Sequence, residues 1–251
     1  MQNPAATQGN GVRAEGAGFV EYGIHRDPTL STVRRILIVG AGGFGREVLL
    51  WAKDGLRGEA DKIRGFLSAD LGEVNELPIL GNPATFEPCD GDAFLLAIGI
   101  PFVRRRVAER LLEAKARFLQ LIHPSAIVAP SASIGLGAII CPHAIVSDSA
   151  TVGRFGLLNY YSSLGHDADC GDYAVLSPYA TLGGYARIGD DVFLGMHASV
   201  GPGKCIGARS KVSANSCALA DVPSDSIVFG VPGRVARLVS PSAGTDGVRS
   251  S

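Results

Sequence analysis

The sequence lacks an excess of charge of either sign. Its 251 residues include 23 Lys and Arg against 24 Asp and Glu, so the net charge is −1. Because nucleic acids and anionic membrane surfaces attract strongly basic proteins, this balance argues against both as partners. It favours a small molecule or another protein. The composition is 46% apolar, which is ample for a packed core.

Long apolar runs and paired cysteines are also missing. The longest apolar stretch, around residues 93–103, is too short to span a bilayer and contains Gly99 and Pro101. The five cysteines are an odd number with no C-x-x-C pair, which favours reduced thiols in the cytoplasm and no zinc site. Residues 1–33 lack the order of a secretory signal and are interpreted as a mobile extension.

Residues 34–121 alternate short β-branched runs with amphipathic stretches. This alternation predicts βαβ units on a parallel sheet, and therefore a Rossmann-like α/β domain. The predicted strands are RRILIVG, IRGFL, AFLLAIG and RFLQLIH, and the predicted helices begin near Gly40 and at Pro101.

A glycine-rich turn follows the first predicted strand. Its sequence, G-A-G-G-F-G from Gly40 to Gly45, fits G-x-G-x-x-G between a strand and a helix, where backbone N–H groups and the helix dipole hold phosphate. NAD or FAD is the rival interpretation. However, the domain is about half a dinucleotide fold, and Ser68 stands where an acid would hold the ribose. The pattern favours the pyrophosphate of a nucleotide sugar.

From Ile122 onward the sequence follows a period of six. Stepping by six from Ile122 to Ala218 gives Val, Ile or Leu at fifteen of seventeen positions, and the position two residues earlier is Ala, Gly or Ser in fourteen of sixteen cases. Neither a strand of period two nor a helix of period 3.6 produces this, so residues 122–221 are predicted to form a hexapeptide-repeat β-solenoid. We expect the aliphatic residues to point inward, the small ones to sit at corners, and the frequent glycines to ease the turns.

The repeat loses its phase at Val222, and residues 222–251 are predicted to form a loop and short cap with a disordered tail.

Several motifs, taken in their order along the chain, resemble a family of bacterial sugar acyltransferases. The motifs are the glycine-rich turn, L-I-H-P-S-A at 121–126, the hexapeptides, N-Y-Y-S-S-L-G-H-D at 159–167 and F-G-V-P-G-R at 229–234. That family includes sialic acid O-acetyltransferases and N-acetyltransferases of nucleotide-linked 4-amino sugars such as bacillosamine and perosamine precursors.

The resemblance, which covers about residues 34–237, carries expectations about assembly and ligands. It implies a left-handed parallel β-helix, a homotrimer, and acetyl-CoA in the groove between neighbouring solenoids. It also implies that the N-terminal domain holds the nucleotide part of the sugar donor. Two departures weaken the nucleotide assignment: family members often have His where this chain has Phe44, and two acids where it has Ser68 and Ala69. Asp70 is a candidate replacement for one acid, and Gly99 is a further candidate in the same site.

Acetyl transfer requires a base that takes the acceptor proton, and a neutral imidazole suits pH 7. His166 occupies a predicted corner and aligns with the histidine that the family uses as general base. Asp167 aligns with an acid thought to orient it, although adjacent strand residues point to opposite faces, so it can assist only if the corner bends it round. Asn159 matches a family asparagine near the reacting centre; a structural polar ladder is its alternative. His123, at the domain junction, is expected to be structural.

The family also suggests residues for acetyl-CoA. Gly184, Gly195 and Gly201 align with the pantetheine groove, and Lys204, Lys211 and Arg234 with the nucleotide end of CoA; a solvated surface is the alternative for each.

Metal catalysis is not expected. His143 and His197 are 54 residues apart, which is three coils and about 14 Å, too far to share one ion unless a trimer supplies further ligands.

The preferred function is N-acetylation of a nucleotide-linked amino sugar. A sugar O-acetyltransferase and a non-catalytic nucleotide-sugar sensor remain as alternatives.

Overall fold

A computed structural model describes residues 31–56, 59–70 and 72–238. Most of the predicted extension and the predicted tail therefore lie outside the described residues. The N-terminal unit contains a short 3₁₀ helix at Ala60–Lys62 and seven further elements: β1 (Arg35–Val39), α1 (Gly43–Gly55), β2 (Ile63–Leu67), β3 (Glu73–Val74), β4 (Leu77–Gly81), β5 (Asp92–Leu96) and α2 (Pro101–Glu113). In the described part of the chain no helix is long and apolar enough to cross a membrane.

The N-terminal sheet has the order β3-β4-β2-β1-β5, and β1, β2, β4 and β5 are parallel. This confirms the predicted α/β unit. The antiparallel pair β3–β4 was not predicted. The predicted strand RFLQLIH is wrong as a single strand: Phe118 makes only an isolated bridge to Phe94, and Leu121 already pairs within the solenoid. The first solenoid strand therefore begins one residue before the predicted start of the repeat.

The described residues from Leu121 to Ala218 form a parallel β-solenoid, which confirms the predicted fold class. Each strand pairs in parallel with the strand three hexapeptides further on, for example Ile122 with Ile140, so three hexapeptides make one coil. Its strands are β6 (Leu121–Ile122), β7 (Ile127–Val128), β8 (Ser133–Ile134), β9 (Ile139–Ile140), β10 (Ile145–Val146), β11 (Thr151–Val152), β12 (Leu157–Leu158), β13 (Ser163–Leu164), β14 (Asp169–Cys170), β15 (Val175–Leu176), β16 (Thr181–Leu182), β17 (Arg187–Ile188), β18 (Phe193–Leu194), β19 (Ser199–Val200), β20 (Cys205–Ile206), β21 (Lys211–Val212) and β22 (Cys217–Ala218).

Stacking of the coils produces three sheets. The domain-facing sheet contains β6, β9, β12, β15, β18 and β21; the second sheet runs from β7 to β22 and the third from β8 to β20. We call the turns between the domain-facing and second sheets the first corner (141–144 and the equivalent turn of each coil). The turns between the second and third sheets form the second corner (165–168 and equivalents). Those that lead back to the domain-facing sheet form the third corner (153–156 and equivalents).

The predicted inward positions are confirmed. Each is the second residue of a two-residue strand, and all are buried except the half-buried Ile134, which packs against the same core. The small residues two positions earlier follow each turn and also lie in this core, for example Ala144 and Ala150. A narrow prism with stacked aliphatic side chains inside therefore accounts for the period of six.

The structure corrects the reason for the glycines. The left-handed backbone conformation falls two residues later in each hexapeptide, at every sixth residue from 137 to 215, and only Gly137 and Gly203 are glycine there. The glycines that follow the strands serve close stacking: a Cβ on Gly153 would lie 2.6 Å from the backbone carbon of Gly171, one coil away. Such contacts are too short for any side chain, so this stacked column of third-corner positions (135, 153, 171, 189 and 207) requires glycine.

The last coil is shortened. Val222 bridges Ile206, and Lys211 pairs with Ile227, so the final coil is two residues shorter than the others. Val222 is therefore still buried in the core although it leaves the hexapeptide phase. Two strands, β23 (Ser226–Phe229) and the antiparallel β24 (Arg234–Arg237), then extend the domain-facing sheet at its end, where the sequence predicted a cap.

The N-terminal unit packs on the solenoid. The outward residues of the first five strands of the domain-facing sheet are apolar, among them Leu121, Ile139 and Leu157, and they share one core with Trp51 of α1. Helix α2 packs at the third corner, where Phe155 and Tyr173 are stacked with ring centroids 5.2 Å apart. The two units are thus joined by apolar packing on both helices.

Candidate active site

His166 lies at the second corner, in the turn between β13 and β14. Its side chain is 58% exposed, and its Nδ1 lies 2.9 Å from the Oδ2 of Asp167. A carboxylate at this distance accepts the Nδ1 proton, which leaves Nε2 as the unprotonated nitrogen. The pair therefore has the geometry of an oriented imidazole base.

Asp167 reaches the imidazole because the backbone bends at that residue. Its φ is 57°, in the left-handed region, and its N–H donates to the carbonyl oxygen of Asp148 in the preceding coil. Asp adopts this region more readily than most residues. Asp167 was expected to assist His166 only if the corner turned its side chain towards the imidazole. This conformation meets that condition.

Gly184 and Tyr185 lie in the coil that follows the pair. A Cβ on Gly184 would lie 2.6 Å from Nε2 of His166, so the ring lies directly against this glycine. The Tyr185 ring meets the imidazole edge to face with centroids 5.0 Å apart. Sequence analysis missed Tyr185 as a neighbour of the site, although its position three hexapeptides after Asp167 was a usable signal.

Asn159 lies at the first corner, one strand away from the corner that carries His166. Its Oδ1 accepts a hydrogen bond from the backbone N–H of Tyr160 at 2.8 Å, and its carbonyl oxygen accepts one from Ser162. The structure therefore gives Asn159 local contacts within its own turn and does not bring it against the His166–Asp167 pair.

The glycine-rich turn lies at the carboxyl edge of the N-terminal sheet. A Cβ on Gly40 would lie 2.5 Å from the carbonyl oxygen of Ala97, and one on Gly45 would lie 2.0 Å from that of Gly40. Gly42 and Gly43 are exposed, and a Cβ on either would meet little or nothing beyond the Arg46 side chain. Gly40 and Gly45 thus permit tight packing, while Gly42 and Gly43 leave the start of α1 open to a ligand.

Ser68 and Gly99 follow β2 and β5, whose carboxyl ends meet at the same edge as that of β1. The hydroxyl of Ser68 accepts a hydrogen bond from the N–H of Asp70, which is exposed. The ring of Phe44 packs edge to face on Trp51 at 6.0 Å. The predicted nucleotide residues therefore share one edge, except that Phe44 also supports the joint between the units.

The predicted acetyl-CoA residues are divided. Gly184, Gly201 and Lys204 lie at the second corner with His166, whereas Gly195 lies at the first corner. Lys211 and Arg234 are exposed on β21 and β24 of the domain-facing sheet, and the Lys211 amine lies 5.6 Å from the Phe193 ring centroid.

Three further histidines lie within the described residues, away from the His166–Asp167 pair. His123 lies 3.5 Å from Asp54 of α1, and burial lowers its pKa, although Asp54 acts in the opposite direction. His143 and His197 lie on one column as predicted. They are separated by Tyr161 and Tyr179 in a continuous stack of rings whose successive centroids are 4.9, 5.0 and 4.7 Å apart. In the ranges that the structure covers, no group of three or more potential ligand side chains could hold a metal ion.

Comparison with known proteins identifies the class to which this architecture is similar. Residues 35–111 match the PglD N-terminal domain family. A segment of 47 residues is 55% identical to UDP-N-acetylbacillosamine N-acetyltransferase of Bacillus subtilis (strain 168) and covers 19% of this chain and 22% of that relative. The chain thus spans about a fifth of that curated relative's length in the match.

Two solved structures are similar over nearly their whole length. PerB from Caulobacter crescentus, in complex with CoA and GDP-perosamine, is 27% identical with a TM-score of 0.73, and the match covers 80% of this chain and 97% of PerB. The acetyltransferase domain of PglB from Neisseria gonorrhoeae, in complex with acetyl coenzyme A, is 26% identical with a TM-score of 0.63, and the match covers 80% of this chain and 98% of that domain. The predicted resemblance to bacterial sugar acetyltransferases is confirmed, as is acetyl-CoA as the co-substrate of that class.

Proposed function

We propose that this protein is an acetyl-CoA-dependent N-acetyltransferase acting on the amino group of a nucleotide-linked sugar. The observation that carries the proposal is the His166–Asp167 pair, held on an exposed solenoid corner with Nε2 free of the carboxylate. The similarity of the chain to PerB, which was solved with CoA and GDP-perosamine, supports acetyl-CoA and a nucleotide-linked amino sugar as the two ligands.

The proposed reaction is direct transfer. The sugar amine attacks the thioester carbonyl of acetyl-CoA, Nε2 of His166 takes the proton that the amine loses, and the CoA thiolate leaves and is protonated. Asp167 holds the imidazole in the tautomer that accepts at Nε2 and stabilises the imidazolium that forms. Neither step requires a covalent intermediate on the protein.

The two ligands are assigned to different units. The open start of α1 at Gly42 and Gly43, with Gly40, Gly45, Phe44, Ser68, Asp70 and Gly99 around it, is proposed to hold the nucleotide diphosphate. Gly184, Gly201 and Lys204 share the corner with His166 and are proposed to line the acetyl-CoA groove. Gly195 of the first corner and Lys211 and Arg234 of the domain-facing sheet are proposed to reach that groove from a neighbouring copy.

A homotrimer and a cytoplasmic location complete the proposal. A groove between neighbouring solenoids would let the first corner of one copy, with Asn159, face the second corner of another, which the single chain does not do. The five unpaired cysteines are compatible with a reducing compartment. Sedimentation at several concentrations tests the trimer: a monomer at micromolar concentration would contradict it.

The activity is tested by thiol release from acetyl-CoA with UDP-, GDP- and dTDP-linked 4-amino sugars. We expect turnover with one of them, and a loss of about 10²- to 10⁴-fold in kcat for His166→Ala, because a positioned base contributes about that much. His25→Ala is the matched control, since His25 lies in the predicted N-terminal extension, away in sequence from every residue assigned to the two ligands, and it should keep the wild-type rate.

Full activity in a folded His166→Ala protein would contradict the assignment of the base. No turnover with any amino sugar, but turnover with a sugar hydroxyl, would contradict N-acetylation while keeping the acetyltransferase. Supplying the amino sugars and the hydroxyl sugars separately, with the product mass measured for each, distinguishes the two acceptors.

A further inference from the structure

Arg104 in the second turn of α2 is completely buried. Its Nε donates a hydrogen bond to the carbonyl oxygen of Phe155 at 2.6 Å. Its Nη1 donates to the carbonyl oxygens of Leu96 and Ile98 at 2.7 and 2.9 Å. All three acceptors are main-chain groups, so this guanidinium binds backbone segments rather than a carboxylate.

Burial of the Arg104 guanidinium costs folding free energy. Its Nη2 has no hydrogen-bond partner in the part of the chain that the structure describes. Burial lowers the pKa of the guanidinium to about 9, so it is still a cation at pH 7. An uncompensated buried cation opposes folding, and an apolar side chain of similar volume is often the more stable choice at such a position. Packing alone therefore does not explain an arginine here.

The three acceptors belong to two different units. Leu96 ends β5, and Ile98 precedes Gly99 at the edge that carries the glycine-rich turn. The same segment abuts that turn, because a Cβ on Gly40 would touch the Ala97 carbonyl oxygen at 2.5 Å. Phe155 belongs to the third corner of the solenoid, shortly before β12. One guanidinium thus ties the nucleotide edge to the solenoid.

We propose that Arg104 is a positioning residue that fixes the nucleotide edge of the N-terminal unit relative to the solenoid that carries His166. This inference rests on the proposed function, in which the donor is held by one unit and the proton is taken by the other. Its hydrogen bonds have defined directions, as does the more exposed ion pair of Arg105 with Asp191 of the solenoid, whereas the apolar contacts of the joint resist separation but permit sliding. Transfer depends on the distance between the bound sugar amine and the thioester, so a small shift of this edge lowers the rate.

The test compares Arg104→Met with Arg106→Met. Arg106 lies on the same helix but is exposed, with its guanidinium 5.5 Å from the Phe102 ring centroid. For Arg104→Met we expect kcat to fall about 10- to 100-fold, the range that follows from misplacement of about 1 Å. The KM values for acetyl-CoA and the nucleotide sugar should each change less than about threefold, since each unit keeps its own site. Arg106→Met should resemble the wild type.

A folded Arg104→Met protein with wild-type kcat overturns the proposal, and so does a rise in KM for the nucleotide sugar at unchanged kcat, which would indicate a local effect on that site. If Arg104→Met does not fold, Arg104→Lys is measured instead and judged by the same changes in kcat and KM. Lysine keeps the positive charge and some hydrogen-bond donors but loses the rigid planar arrangement of the guanidinium donors.

A readout independent of turnover separates this inference from the proposed function. Amide hydrogen exchange should rise together at 96–99 and 155–158 in Arg104→Met, and at neither segment in Arg106→Met. If the wild type shows no turnover with any substrate, the proposed function fails. The exchange result then stands alone: unchanged protection at both segments overturns the role of Arg104, and a coupled rise supports it.

Discussion

The imidazole of His166 is in contact with neighbours in its own turn and in the next coil. Asp167 binds Nδ1, Tyr185 packs against the ring, and Gly184 lies against Nε2. A side chain that is 58% exposed would otherwise sample several rotamers. The order of the site therefore depends on the next coil as much as on the G-H-D motif itself.

The absence of a Cβ at Gly184 should be essential for activity. In Gly184→Ala the new methyl group would lie 2.6 Å from Nε2 and displace the ring. We expect kcat to fall about 10- to 100-fold because the base loses its alignment. Steady-state kinetics measures this change. The control is Leu136→Ala, since Leu136 is exposed at the equivalent hexapeptide position on the third corner, away from His166.

The kinetic pattern identifies which role of Gly184 is disturbed. A rise in the KM for acetyl-CoA at unchanged kcat would show that this glycine serves the co-substrate and would contradict its role in holding His166.

At the scale of elements, polar cross-strand pairs supplement the apolar core. Arg35 of β1 and Asp92 of β5 are register partners, and the guanidinium binds both carboxylate oxygens at 2.7 and 2.6 Å. Burial alone would raise the pKa of Asp92, but the hydrogen bonds from Arg35 and from the Cys89 N–H outweigh it, and the pKa is lowered. The pair therefore stabilises the N-terminal sheet only while Asp92 is ionised.

Replacement of Asp92 should cost stability in a pH-dependent way. Because the folded-state pKa lies below the unfolded value of about 3.9, the stabilisation is complete above that pH and disappears as the pH falls through the folded-state pKa. We expect Asp92→Asn to lower the free energy of unfolding by about 1–3 kcal/mol at pH 7, measured by urea denaturation.

The difference between Asp92→Asn and the wild type should shrink as the pH is lowered below 4. Asp90→Asn, at an exposed position two residues earlier, serves as the control and should change the stability little. An equal loss of stability at pH 7 and at low pH would contradict an ionic origin.

At the scale of the whole molecule, the joint makes the two units depend on each other. Helix α1 covers the apolar outer face of the domain-facing sheet, and α2 covers the third corner. The second sheet carries Ile127 and Ile145 on its outer face, and these residues are exposed. The solenoid therefore has one covered face and, at the start of the second sheet, a small exposed apolar patch, whereas the outward residues of its later strands include the polar Ser163, Thr181 and Ser199.

The two units should unfold together. Trp51 is the one tryptophan of the sequence, is 8% exposed, and packs in the core shared by α1 and the domain-facing sheet. Its fluorescence reports on the joint, while far-UV circular dichroism reports on all strands and helices. At a fixed protein concentration we expect both signals to follow one denaturation curve. Separate midpoints would show that the units are stable independently and that the joint is weak.

Much of the fold was determined by local sequence. The inward aliphatic residues and the buried small residues follow from a period of six, because every coil presents the same surfaces to the next one. The outward position of the domain-facing sheet recurs once per coil, and its apolar run at Leu121, Ile139, Leu157, Val175 and Phe193 already indicates the face that a domain covers. His166 was predicted as the base from its place at a predicted corner and from the resemblance of its G-H-D motif to that of the sugar acyltransferase family.

Other features depend on tertiary structure. The period of six did not reveal the shortened last coil, because two missing residues change the phase without changing the residue types. The glycine column depends on contacts between residues three hexapeptides apart. A Cβ added to one of these glycines would lie within about 3 Å of the backbone of the next coil. The orientation of Asp167, the support from Gly184 and Tyr185, and the three carbonyl groups around Arg104 likewise arise between segments distant in sequence. Sequence alone determined the repeat and the reactive residue types, whereas packing between coils and units decided how those residues are held.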